Sequence, residues 1–184
     1  MAQTGLHFTT NEYDRDRYER IARIAEGVAG LTTDAAFTPE RPYLPDLGMA
    51  SAKVGCCVAA FDGGGRVALI RRADSGRWAL PGGVAEVGSS PAENALRELR
   101  EETGLEAALD GLVGVYDNRR FASVSPYHLY ICCFRGRVSG GAVQPSSETP
   151  EVRFVAPDAL PEDMSALQRV MTADAAAGRS AVYQ

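Results

Sequence analysis

At 184 residues, with 45% apolar and 23% charged side chains, the chain has the length and composition of one ordinary soluble domain plus a short extension. A net charge of -5 lacks the basic footprint that nucleic acid or an acidic membrane surface requires, so neither is expected as a partner. A small anionic substrate screened by cations stays compatible with that charge.

Taken in order, Thr9 to Leu31 carries Tyr13, Arg17, Tyr18, Ile21, Ile24, Ala25 and Val28 at helical spacing, with Glu12, Asp14, Asp16, Glu19, Arg20 and Arg23 opposite. The pattern predicts an amphipathic helix ending near Gly30. Its apolar stripe packs either on its own domain or on a second subunit, the latter giving a homodimer. Pro39, Pro42 and Pro45 then break the stretch from Thr38 to Gly48 into a linker or surface strap, so the expected division is residues 1–48 and 49–184. Lys53 to Phe61 and Arg66 to Arg71 read as strands joined by the glycine turn Asp62 to Gly65. Gly76 to Leu80 contains the lone tryptophan, Trp78, either core or site wall.

Leu80-Pro81-Gly82-Gly83 is a turn whose glycines let backbone approach a ligand. Ser90 as cap, Pro91 in the first turn and Glu93 closing a capping box open a helix that Gly104 ends. Within it Glu98, Glu101 and Glu102 stand at i, i+3 and i+4, with Ala92, Ala95, Leu96 and Leu99 on the opposite stripe. Only Arg97 and Arg100 are near to balance the acidic face. Hard oxygen donors clustered in this way are what Mg²⁺ or Mn²⁺ asks for.

Further strands are expected at Leu112 to Tyr116, His128 to Val138 and Val152 to Val155, with a loop from Asn118 to Pro126 and a terminal helix from Met164 to Ala177. The four cysteines form two adjacent pairs, Cys56-Cys57 and Cys132-Cys133, inside apolar runs. This is not zinc-site spacing, and buried free thiols are expected. No targeting segment or membrane-length apolar run is present, which points to the cytoplasm. Mixed strands flanked by helices predict an α/β/α sandwich around a mixed sheet.

The helix and the turn before it resemble the Nudix signature: G, five residues, E, seven residues, then R-E-U-x-E-E-x-G-U with U apolar. Gly83, Arg97, Glu98, Leu99, Glu101, Glu102, Gly104 and Leu105 fall in register, whereas Ser89 replaces the first glutamate. The resemblance implies the Nudix fold, metal binding by Glu98, Glu101 and Glu102, and Arg97 orienting them. Metal number is the property that Ser89 touches most, and Glu86 is a candidate to compensate. Glu148, on the loop before the last strand, is implied as a metal ligand and base, with Glu151 the alternative.

Tyr13-Asp14-Arg15-Asp16-Arg17-Tyr18, Val115-Tyr116-Asp117, Pro126-Tyr127-His128 and Glu148-Thr149-Pro150 are similar to a bacterial subgroup that acts on ADP-ribose and CDP-choline. The implied activity is metal-dependent hydrolysis of a nucleoside diphosphate linked to another group, releasing a nucleoside monophosphate. Gly83, Glu86, Tyr116, Arg119, Arg120, Tyr127 and His128 are the substrate-binding candidates. Phe121 stands where ADP-ribose enzymes often carry proline. A nucleotide-sensing domain without activity and a nucleoside triphosphate pyrophosphohydrolase are the competing readings.

Overall fold

The computed structural model describes residues 2, 5–6, 9–32, 52–121 and 128–183, and the side chains of residues 26 and 28–32 are outside that description. The strap from Thr38 to Gly48, most of the loop after Phe121, and Tyr127 lie outside the described residues. The chain divides into two compact units, Met1–Ser51 and Ala52–Gln184. In the first, helix α1 spans Glu12–Thr32. Asn11 caps it, its side-chain oxygen accepting from the Tyr13 N–H at 2.8 Å. Tyr13, Ile21 and Ile24 on this helix are exposed.

The second unit is built on a mixed sheet of strands β1 (Lys53–Phe61), β2 (Val67–Arg71), β3 (Trp78–Ala79), β4 (Gly82–Val84), β5 (Leu105–Asp117), β6 (Leu129–Gly141), β7 (Glu151–Val155) and β8 (Val182–Tyr183). The order along the sheet is β3-β2-β1-β6-β5-β8, with β4 paired to β1 and β7 to β2. Parallel β1 and β6 run through its middle, in register from Lys53 opposite Leu129 to Phe61 opposite Arg137. β1 is apolar on both faces because both are covered.

Alternation along β1 sorts its side chains into two cores. Cys56, Val58 and Ala60 pack under helix α2 (Pro91–Thr103) with Ala95, Leu99 and Leu105. Cys57, Ala59 and Phe61 pack under helix α3 (Ala166–Ala176) with Leu167, Met171 and Ala175. This is the expected α/β/α sandwich. Trp78 and Tyr116 belong to the α3 core. Tyr116 donates its hydroxyl to Asp174 at 2.9 Å and so stitches sheet to helix.

All four cysteines are free thiols, although Cys132 is only half-buried. Sequence neighbours point to opposite faces, but the β1–β6 register sets Cys56 beside Cys132 and Cys57 beside Cys133. Burial, then the neighbouring Cys132, pushes the Cys56 thiol up to about 11, so it stays protonated and inert at neutral pH.

Two of the strands around the site depart from the sequence expectation. β4 forms from a segment read as a turn, and β5 begins seven residues earlier than expected, at Leu105 instead of Leu112. Three register irregularities bend β5, so its side chains do not keep a clean two-residue period.

Candidate active site

Helix α2 is set by its ends. The Ser90 hydroxyl accepts from the Glu93 N–H at 3.2 Å, and the Glu93 carboxylate accepts from the Ser90 N–H at 2.7 Å. Gly104 closes the helix at φ 73°, where a Cβ would also stand 2.4 Å from the Ala142 carbonyl oxygen, so geometry and space both require glycine. The helix lays Glu98 and Glu102 against the short strand β4, with Arg97 and Glu101 beside them.

Arg97 is the hub of this surface. It donates to Glu98 Oε1 and Glu101 Oε2, each at 2.7 Å, and lies 3.7 Å from Glu86 Oε1. Asn94, a buried residue that the sequence reading did not single out, organises the turn beneath. Its amide donates to the Ser89 and Ser90 carbonyls, and its oxygen accepts from the Glu86 N–H at 2.9 Å. Ser89 thus contributes its backbone carbonyl at this turn.

Gly83 lies directly against Glu98: a Cβ there would stand 2.7 Å from Glu98 Oε1. Glu102 is buried and accepts from the Gly82 N–H at 2.8 Å. Burial, with the charges of Glu98 and Glu148 added, pushes its carboxyl up to about 7 against the opposing pull of Gly82 and Arg72. Burial raises Glu98 too, and Arg97 partly offsets it.

The three glutamates do not share one empty focus as the helical spacing suggested. Arg97 takes oxygens of Glu98 and Glu101, Glu102 turns to Gly82, and among the described residues no three acidic, histidine or cysteine side chains stand ready-made as a cation site. The donor set nevertheless fits a divalent cation. Burial raises both half-buried Glu98 and buried Glu102, and each is raised further by a neighbouring carboxylate, unfavourable charge that Mg²⁺ or Mn²⁺ would relieve, and all the donors are hard oxygens.

Glu148 is exposed, with its backbone carbonyl accepting from the Ala73 N–H at 2.8 Å, and its charge is felt at Glu102. Glu151 instead pairs with Arg71 and Arg153 on the β2–β7 ladder. Thr149 ties the Glu148 loop to the helix, its hydroxyl donating to the Glu102 carbonyl at 2.6 Å. Arg72 was not anticipated. It is clamped by Asp74 at 3.1 and 2.7 Å, and its positive charge is felt at Glu102. A turn arginine carries no helical or strand period, so the sequence pattern gave no signal for it.

Of the substrate candidates, Tyr116 is corrected. It is fully buried in the α3 core, its hydroxyl satisfied by Asp174, and offers no surface to a ligand. Arg119 and Arg120 are exposed on the 3-10 turn Asn118–Phe121. His128 is half-buried and bonds Asp117 Oδ1 through Nε2 at 3.0 Å.

Residues 51–175 match the family described as the NUDIX domain, and residues 1–37 match the one described as a UDP-X-like, N-terminal oligomerisation domain. The chain is 31% identical over 163 residues, 88% of its length and 78% of the relative's, to the Bacillus subtilis protein named "Putative ADP-ribose pyrophosphatase YjhB". It is 40% identical over 114 residues to a MutT-like protein of Streptomyces ambofaciens, covering 62% of this chain and 70% of that one. Among solved structures, that of a UDP-X diphosphatase aligns with a TM-score of 0.64 and 26% identity over 97% of this chain and 90% of that chain. The match across the second unit, together with the Gly82-Gly83 strand set against an R-E-U-x-E-E helix, shows that the chain belongs to the Nudix hydrolase family.

Proposed function

We propose that the protein hydrolyses the diphosphate bond of a nucleoside diphosphate linked to another group, with Mg²⁺ or Mn²⁺, releasing a nucleoside monophosphate. The observation that carries this reading is the glutamate helix laid against a strand whose Gly83 has no side chain, so that the Glu98 carboxylate packs directly on that strand's backbone. The names of the relatives support it: ADP-ribose pyrophosphatase for one from Bacillus subtilis and UDP-X diphosphatase for the structural neighbour.

In this reading Glu98, Glu101, Glu102 and Glu148 hold the cation. When bound, it supplies Lewis acidity toward the bridging diphosphate and makes water acidic enough to attack at neutral pH. The chain's own residues do the rest. Arg97 keeps Glu98 and Glu101 in fixed rotamers through its two 2.7 Å bonds. The Gly82 N–H holds Glu102 at 2.8 Å. Glu148 takes the proton of the attacking water at its exposed carboxylate, and the Thr149 bond keeps that loop on the helix. Gly83 and Glu86 line the phosphate side, and His128, Arg119 and Arg120 the far side of the substrate.

Residues 1–48 form an assembly module in this reading and residues 49–184 the catalytic domain. The module joins two copies, supported by its match to an oligomerisation domain and the exposed Tyr13, Ile21 and Ile24 of α1. No helix among the described residues is long and apolar enough to cross a membrane, and the proposed location is the cytoplasm.

The test is incubation with ADP-ribose, CDP-choline, UDP-linked sugars, NADH and nucleoside triphosphates in Mg²⁺, with product identification. Nucleoside monophosphate from a diphosphate-linked compound is the expected result. Cleavage of triphosphates alone, or of nothing, overturns the reading.

A further inference from the structure

β6 lies between β1 and β5, and most of its neighbourhood on the α2 face is covered. At the N-terminal ends of β1 and β6 that cover stops. Val54 is 41% exposed and Tyr130 45%, although the next residues on the same face, Cys56 and Cys132, pack in or against the α2 core. Strand pairing puts Val54, Tyr130 and Asp117 in one row across β1, β6 and β5. Residues directly opposite in register point to the same face, so the row is a continuous surface.

The row has a built edge. His128 bonds Asp117 at 3.0 Å, and its ring meets that of Tyr130 edge-on, with centroids 5.0 Å apart and planes at 63°. Asp117 is itself fixed by the Arg119 N–H at 2.9 Å, and Asn118 accepts from the Leu129 N–H at 2.9 Å, which anchors the start of β6. Tyr130 therefore offers an open aromatic face whose flank is held by a hydrogen-bonded pair.

Its position gives the surface a use. Val54 is two residues from Cys56, the partner of Gly83, and Gly83 is the residue pressed against Glu98. Tyr130 and Gly83 pair with β1 from opposite sides, two strand spacings apart and two residues along, roughly 12 Å in all, the span from a nucleobase across its ribose to a diphosphate. The Val54 carbonyl also accepts from the Ala85 N–H, beside Glu86.

We infer that Tyr130, with Val54 beside it and the Asp117–His128 pair at its edge, is the platform on which the substrate's nucleobase stacks. This rests on the diphosphatase reading above, and it names a residue that selects the nucleoside end of the substrate. A planar ring is the occupant that an exposed tyrosine face beside a phosphate site fits: stacking accepts every base, and the polar edge distinguishes among them.

The test is calorimetric titration of the full-length protein with UMP, CMP, AMP and ribose 5-phosphate in Mg²⁺, for the wild type, Tyr130→Ala and Tyr130→Phe. The wild type should bind at least one nucleotide about tenfold tighter than ribose 5-phosphate; Tyr130→Ala should shrink that ratio to about twofold, and Tyr130→Phe should keep it. In turnover, Tyr130→Ala should raise KM about tenfold while kcat stays within about twofold. Nucleotide binding in Tyr130→Ala equal to wild type, an equal loss in Tyr130→Phe, or no base preference in the wild type overturns the inference. So does a fall in solution mass on Tyr130→Ala, which would make the patch a contact between copies. A Tyr130-dependent base preference without cleavage of any panel compound leaves the platform standing and the diphosphatase reading fallen. Cleavage by Tyr130→Ala at the wild-type KM does the reverse.

Discussion

Two adjacent glycines on β4 do different work, which substitution separates. A Cβ at Gly82 would stand 2.3 Å from the Cys56 carbonyl oxygen and 2.7 Å from the Cys57 Cα, backbone that cannot yield. Gly82→Ala should therefore destabilise by roughly 1–3 kcal/mol in a denaturant titration. At Gly83 the clash is only with the carboxylate end of Glu98, which can swing away. Gly83→Ala should melt close to wild type while kcat falls about tenfold or more, because Glu98 leaves its place. Glu102 supplies a pH signature. Its carboxyl is pushed up to about 7 by burial, above its ordinary 4.5. Between those values the folded state binds more protons than the unfolded one, so stability of the cation-free protein should fall as pH rises from about 4.5 to 7. The full effect is roughly 3 kcal/mol. Glu102→Gln should flatten that slope in urea titrations run across the window; an unchanged slope would assign it elsewhere. At this scale the sequence was legible where side-chain chemistry repeats at helical spacing, as with Arg97, Glu98, Glu101 and Glu102. It misled at Tyr116, because an aromatic at the end of a strand reads the same whether it faces a ligand or Asp174. Asn94 was hidden because a polar residue on a helix normally signals solvent, and here it is buried to bind the turn.

Among the elements, α2 was the most legible: Ser90, Pro91, Glu93 and Gly104 fix both ends, and the helix runs from Pro91 to Thr103 as expected. β4 was not legible, since two of its three residues are glycines and offer no alternating pattern. β8 escaped for want of length, with two residues paired to β5. How the Glu148 loop meets α2 could not be read from the sequence either, since that contact joins residues 47 positions apart. Thr149 is buried and bonds both the Glu102 carbonyl and the Ser146 hydroxyl. Thr149→Val keeps the shape and removes the hydroxyl, so a loss of about 1–2 kcal/mol is expected. If the loop carries the base, kcat should fall with KM nearly unchanged, and wild-type turnover in a destabilised variant would separate the loop from the chemistry.

At the scale of the molecule, the sandwich was legible because β1 is apolar on both faces and helical patterns flank the strands. The helix before it was legible as an element, but its partner was not, since an apolar stripe does not name what covers it. Removing residues 1–51 should lower the subunit number measured by light scattering from two to one while the remaining unit stays folded by circular dichroism; an unchanged subunit number would place the contact elsewhere. The most direct measurement is Mn²⁺ binding by electron paramagnetic resonance, made on the wild type, Glu98→Gln and Glu101→Gln beside their turnover of a diphosphate-linked nucleoside. Tight Mn²⁺ binding in the wild type, weakened about tenfold or more by either substitution with a parallel loss of turnover, is the expected result. Wild-type protein that binds no Mn²⁺, or Glu101→Gln that turns over as fast as its parent, would contradict it.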